Sequence, residues 1–358
     1  MRPALAALLV AALAGSGGTA LAAPDRAAGG AVHGRDQLPG WNGGALQLSA
    51  ATRARVVEEA NRAVVRPPCP VVQLAGAGSD DLVDPQVIAT RAAFEDADDA
   101  VILALAWRST GESRYRDAVA ARLVAWARTN VPTGHPIDET RLDSLVQAYV
   151  LVREALSPQD DAVVRAWFTE LRERKRAWRF GPRTSVNNHR THQLKMLLLL
   201  DEAMGDDAAF AADRAAAEAH AARNLDATTG ESVDLRERSA LYYHAYDLDA
   251  WLEILLLTRC CAHPVAAAYQ LLERRLRDGD MAGEFRGSVS PLDAARARAG
   301  YGYGAAGSTF DPERAEHVRL AYGAFDPAQV SPAALAVTAA SVQRRNLYSL
   351  ARLESWHR

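Results

Sequence analysis

The sequence is poor in the residues that most often announce a chemistry. Its three cysteines, Cys69, Cys260 and Cys261, cannot all pair, and none stands in the C-x-x-C spacing of a redox centre or zinc site. In an oxidising compartment Cys69 can bridge to one of the other two, or the adjacent pair can close on itself, with one thiol left over either way. Packing near a helix end, after the run LEILLLTR, is the simpler expectation for the pair. Beyond the N-terminus no apolar run is long enough to span a bilayer, since Met196 to Leu200 and Ile254 to Leu257 are short and end in charge or polarity. A basic excess is missing too. Setting aside residues 1–22 removes only Arg2 from 41 basic residues, leaving 40 against 44 acidic and a net charge near −4, which argues against a general nucleic-acid binder. The run Arg172 to Arg176 fits a solvated helix end better than a polyanion patch, and the preference for Arg over Lys supplies forked donors suited to carboxylates.

The N-terminus carries one Arg, a short apolar run and Ala20-Leu21-Ala22 ahead of Pro24, the pattern of a cleaved signal peptide over residues 1–22. The expectation is a secreted or periplasmic protein without a membrane span and, by default, a monomer. Residues 23–48 form an extended lead-in, and 49–358 a single domain.

From Ser49 onward the periodicity is helical. Leu103 and Trp107, then Tyr115, Val119 and Leu123, recur at helical spacings around a break at Ser109 to Ser113. RSTGESRYRDAVAARLVAWA (108–127) and DEAMGDDAAFAADRAAAEAHAA (201–222) share a Gly, a polar turn, an aromatic and an Ala-rich helix. Repeated helix, Gly turn, helix units predict an all-α fold, an incomplete α/α toroid of helical hairpins, with functional loops at one rim. Strand signals are confined to stretches such as Pro70 to Leu74.

Three places concentrate chemistry-bearing side chains. The loop Val131 to Thr140 holds two prolines, a Gly, Asp138 and Glu139, with Asp138 or Thr140 available to cap a helix from Arg141. NNHR (187–190) puts Asn188 and His189 at the start of a helix running to Met204; His189 and His192 are three apart, but no carboxylate joins them at zinc-site spacing, so no metal is expected. In RERSALYYHAY (236–246), Asp234 and Glu237 form a capping-box pattern that predicts one helix from Asp234 towards Leu257, placing Arg236 and Tyr243, seven residues apart, on one stripe. Core packing accounts for Tyr242, Tyr243 and Tyr246 taken singly, less readily for the combination.

Amide, imidazole, guanidinium and phenol together suit elimination from a uronic acid. Taking the C5 proton puts charge on the adjacent carboxylate, so the reaction needs donors at that carboxylate, a base for C5 and an acid for the C4 glycosidic oxygen. Asn and Arg suit the first duty, and Tyr and His the others.

These motifs resemble the alginate lyase family of poly(β-D-mannuronate) lyases, whose signatures read roughly NNH and R-G-x-R-A-L-x-Y-H; related members cut glucuronan. The resemblance implies an α/α toroid that needs no cofactor and acts on an anionic polysaccharide. It implies that Asn188 and Arg236 neutralise the carboxylate, His189 assists as base or charge stabiliser, and Tyr243 is the acid and also the base in a syn elimination. Arg183, Arg190, Tyr242, His244 and Glu139 are candidate substrate contacts. Glu237 stands where the family usually has Gly, and Tyr242 occupies a variable place that is often His. A glycoside hydrolase would depend instead on a carboxylate pair, Glu139 with Asp234 or Glu231. A non-catalytic helical scaffold would bind the polysaccharide and turn nothing over.

Overall fold

The computed structural model describes residues 46–76, 79, 81, 83–300, 306–330 and 339–356. The signal-peptide expectation and most of the extended lead-in lie outside the described residues. Within them, helices buried on every side for much of their length alternate with helices buried along one stripe. The first kind comprises α2 (Pro85–Thr110), α4 (Asp143–Val152), α6 (Asn188–Met204) and α9 (Leu241–Thr258); the second comprises α1 (Ala50–Ala63), α3 (Ser113–Thr129), α5 (Pro158–Ala177), α7 (Asp207–Asn224) and α10 (Ala262–Arg277). Runs such as Ala100 to Ala106 and Met196 to Leu200 are apolar all round, and only a helix enclosed by other helices can bury such a surface.

The enclosed helices pack in series, α2 on α4, α4 on α6, α6 on α9 and α9 on α12 (Glu316–Phe325). α12 then meets α13 (Leu347–Trp356), which packs against α1 and α2 and joins the two ends of the series. Glu354 fastens this junction by accepting from the Ser49 N–H at 2.7 Å and from the Ser49 and Thr52 hydroxyls. The hairpin turns follow the sequence pattern. Gly111 and Gly205 both adopt the left-handed conformation that ends a helix without a Cβ clash, at φ 78° and 69°.

Three local expectations are corrected. Pro70 to Leu74 is not a strand; the described strands are β1 (Ala282–Glu284) and β2 (Ser308–Thr309), one short antiparallel pair. Neither Asp138 nor Thr140 caps α4, which follows the 3-10 turn Thr140–Leu142 without a side-chain cap. Asp234 is not an N-cap and no single helix runs to Leu257: Ser232 caps α8 (Val233–Arg238), Ser239 turns left-handed at φ 49°, and α9 begins at Leu241.

Candidate active site

α6 supplies the first part of the site. Asn187 caps it by accepting from the His189 N–H, which sets Asn188 at the first helical position. Asn188 is buried and donates to Asp234 twice, from its backbone N–H at 2.8 Å and its side-chain amide at 2.5 Å. Burial raises the Asp234 carboxyl to about 6 against the pull of those hydrogen bonds. His189 is half-buried, and desolvation holds its imidazole down at about 4, with His135 and Arg238 adding repulsion. It is therefore neutral near pH 7, the form that accepts a proton.

The loop before α4 forms one wall. His135 stands edge-on to Trp178, with ring centres 4.8 Å apart, and edge-on to His189 at 6.1 Å. Its backbone carbonyl takes a hydrogen bond from the fully buried Lys175 at 2.8 Å. Lys175 is also 3.0 Å from Glu139, whose carboxylate accepts from Thr133 and Gly134. Glu139 is 1 % exposed, so it ties the loop together and is not presented to a substrate.

The second part begins at the break between α8 and α9. The left-handed Ser239 turns the chain and gives its carbonyl to the Phe285 N–H at 2.9 Å. α9 has no side-chain cap of its own; Glu284, at the end of β1, accepts from the Leu241 and Tyr242 N–H groups at 2.6 and 2.9 Å. Tyr243 follows one turn in. The Arg238 guanidinium lies 3.4 Å from the centre of its ring, and Arg296, on α11 (Pro291–Arg298), donates to its hydroxyl at 2.9 Å. Arg238 is held by Asp293 of the same helix, and Phe285 stands edge-on to the Tyr243 ring. Tyr242 is edge-on to Tyr243 at 5.0 Å and stacks towards Tyr246, with Arg314 over its ring.

The structure thus gathers Asn188, through Asp234, and His189 and Tyr243 around Arg238. It does not bring Arg236 to Tyr243. Arg236 is exposed, donates to the Glu231 carbonyl at 2.9 Å and borders an outer hollow with Glu218, Asp226 and Cys261. The shared stripe fails because Ser239 interrupts the helix between them. His244 is also misplaced as a substrate contact: it is fully buried, with its ring nitrogens on the Ser232 hydroxyl and the Ala268 carbonyl. Arg190 bonds Gln193, lies over Phe180 and feels the charges of Asp213 and Arg223, on the side of α7. Arg183 is exposed and pairs with Glu237 at 3.2 Å, so the residue standing in place of the family Gly engages an arginine. Sequence reasoning missed Arg238 and Arg296. Arg238 sat within the quoted motif at the wrong helical phase, and nothing in the sequence tied residue 296 to Tyr243.

Enclosed helices paired in series with partly exposed ones make the chain an α/α toroid. The Alginate lyase family model matches residues 49–260, and the chain belongs to that family. None of the curated proteins compared with the chain matches it significantly. Among solved structures, an alginate lyase from Bacteroides ovatus is 15 % identical, with a TM-score of 0.56 over 78 % of this chain and 87 % of its own. Alginate lyase A1-III from Sphingomonas species A1 is 16 % identical at a TM-score of 0.53, covering 74 % of this chain and 88 % of its own. A variant of A1-III complexed with tetrasaccharide matches at 0.52 and 14 % identity, over 73 % of this chain and 90 % of its own. At these identities the solved structures bear on the fold.

Proposed function

We propose that the chain is an exported, monomeric lyase that cleaves β-1,4-linked polymannuronate by syn β-elimination. The observation that carries this reading is the Tyr243 hydroxyl held by Arg296 over the Arg238 guanidinium, with a neutral His189 nearby. Arg296 donates to the Tyr243 oxygen and Arg238 lies against its ring, so two guanidiniums adjoin the group that handles the proton. With the phenol's own proton held by the neutral His189 until the cycle closes, the Tyr243 oxygen takes the C5 proton, and the electron pair left behind spreads into the uronate carboxylate. The arginines beside Tyr243 stabilise that charge and His189 assists as acceptor, while Asn188, itself buried against Asp234, acts by holding the Asp234 carboxylate and the start of α6 in place. The C4–O bond then breaks, and Tyr243 returns the proton to the departing oxygen. The chain is left with a 4,5-unsaturated uronate at its new end. Syn geometry places the C5 proton and O4 on one face, so a single phenol serves both. No step calls for a metal or organic cofactor. The carboxylate pair of a glycoside hydrolase has no support, because Glu139 and Asp234 are each 1 % exposed and engaged in other hydrogen bonds.

The test is ultraviolet absorbance with time on separate polymannuronate, polyguluronate and glucuronan, repeated with Tyr243→Phe. A rise on polymannuronate that drops by about 100-fold or more in the variant is expected. A rise on glucuronan alone would transfer the mechanism to that polymer, which shares the C4 and C5 stereochemistry. No rise on any of the three would sink the elimination.

A further inference from the structure

Cys260 and Cys261 lie in the turn between α9 and α10, on a part of the molecule the elimination does not use. Adjacent side chains on a helix diverge by about 100°, and on a strand they point to opposite faces, so neighbouring cysteines in regular structure cannot meet. Here the backbone is left-handed at Arg259 and again at Cys261, φ 58° and 62°, and this double reversal swings both thiols to one side. Their sulfurs are 2.8 Å apart. Neither is bonded to Cys69, and all three are free thiols. The two differ in access. Cys260 is 5 % exposed, while Cys261 is half-buried and lines the outer hollow, about 620 Å³, together with Arg223 and Arg236.

We propose that this pair is a dithiol modification site, converted to a vicinal disulfide by exchange with low-molecular-weight disulfides that reach Cys261 through the hollow. The Cys261 thiolate attacks one sulfur of the incoming disulfide, forming a mixed disulfide and releasing the first small thiol. The Cys260 thiolate then attacks the Cys261 sulfur and expels the second. The two protein thiols give up two electrons and two protons, and the small disulfide is reduced to two thiols. Cys260 suits the resolving step. Hydrogen bonds from Cys261 and Thr258 pull its thiol down, and its attack is intramolecular, so burial does not hinder it; the same shared proton and burial push the Cys261 thiol up, which makes the first attack the slow step. Closing a ring between adjacent residues departs from relaxed disulfide geometry, so the bridge belongs to the easily reduced class.

The experiment uses the full chain carrying Cys69→Ser; that cysteine is exposed, so its replacement leaves the core intact. The folded protein is incubated with excess glutathione disulfide, remaining thiols are alkylated, and the intact mass is measured before a non-reducing digest. Expected is the loss of two hydrogen masses with no adduct and a bridge within the peptide holding both cysteines. Adding Cys260→Ser arrests the reaction at a mixed disulfide on Cys261, and adding Cys261→Ser leaves the folded protein unmodified. The proposal is overturned if the parent retains two alkylatable thiols, if it accumulates a stable mixed disulfide, or if Cys261→Ser is modified at Cys260 as readily as the parent at Cys261.

Discussion

Ser239 decides which arginine meets the tyrosine. Read as one helix, the motif aligns Arg236 with Tyr243; with one residue turned left-handed, Arg238 takes that position and Arg236 faces outward. The residue types that the proposed elimination calls for stand together in the sequence, but their phase was not legible there, because a non-Gly residue in that conformation costs about 1–2 kcal/mol and leaves no compositional mark. The compensating bond from Phe285 comes from a segment far along the chain. Arg238→Ala is expected to lower kcat/KM by about 100-fold, and Arg236→Ala by no more than roughly threefold. Steady-state kinetics on the polymer turned over decide it, and the reverse ranking would restore the unbroken-helix alignment. His244, expected to touch substrate, belongs to stability. Burial depresses its folded-state value from 6.5 to about 4, so its contribution is fully present above pH 6.5 and is lost as pH falls through 4. The loss is on the order of 3 kcal/mol. Denaturant titrations across that window should show a shallower pH slope for His244→Gln than for the parent.

At the scale of elements, the helices and their glycine turns could be read from spacing, because an apolar stripe at helical period and a Gly at its end are local signals. β1 and β2 could not, being three and two residues long, too short for alternation to register. Yet β1 carries the carboxylate that begins α9. Glu284 lies 43 residues from the Leu241 N–H it accepts, so no window of sequence contains both halves of that cap. Glu284→Ala leaves the buried Leu241 N–H and the half-buried Tyr242 N–H without their acceptor at the helix end that bears Tyr243. A loss of about 1–3 kcal/mol is expected by chemical denaturation. Activity at a temperature where the variant remains folded should fall as well. Full activity there would mean that α9 holds its start without the hairpin.

Over the whole molecule, α13 links remote parts of the chain. Arg352, 3 % exposed, gives its guanidinium to Glu253 on α9 at 2.6 and 2.8 Å, joining residues 99 apart. Removing one partner of a buried ion pair strands the other, so Arg352→Met is expected to cost about 3–5 kcal/mol. The double variant with Glu253→Leu should recover much of that loss, as a thermal unfolding cycle would show; no recovery would mean that Arg352 acts through packing alone. Fold class was accessible from sequence because the hairpins at Gly111 and Gly205 repeat one local pattern. The polar ties that close the series were not, since nothing local distinguishes a charged residue that pairs across the molecule from one that faces water.

The bond between Ser49 and Glu354 has a consequence for chain order. Where the described start and end of the domain touch, the hairpins form a circuit in space, and the point at which synthesis begins is one choice among several. A short linker across that junction, with the chain reopened at the exposed turn near Thr228, would leave every neighbour relation in the circuit unchanged. The order in which ribosomes deliver the helices and the order in which the helices stand are separate properties of this protein.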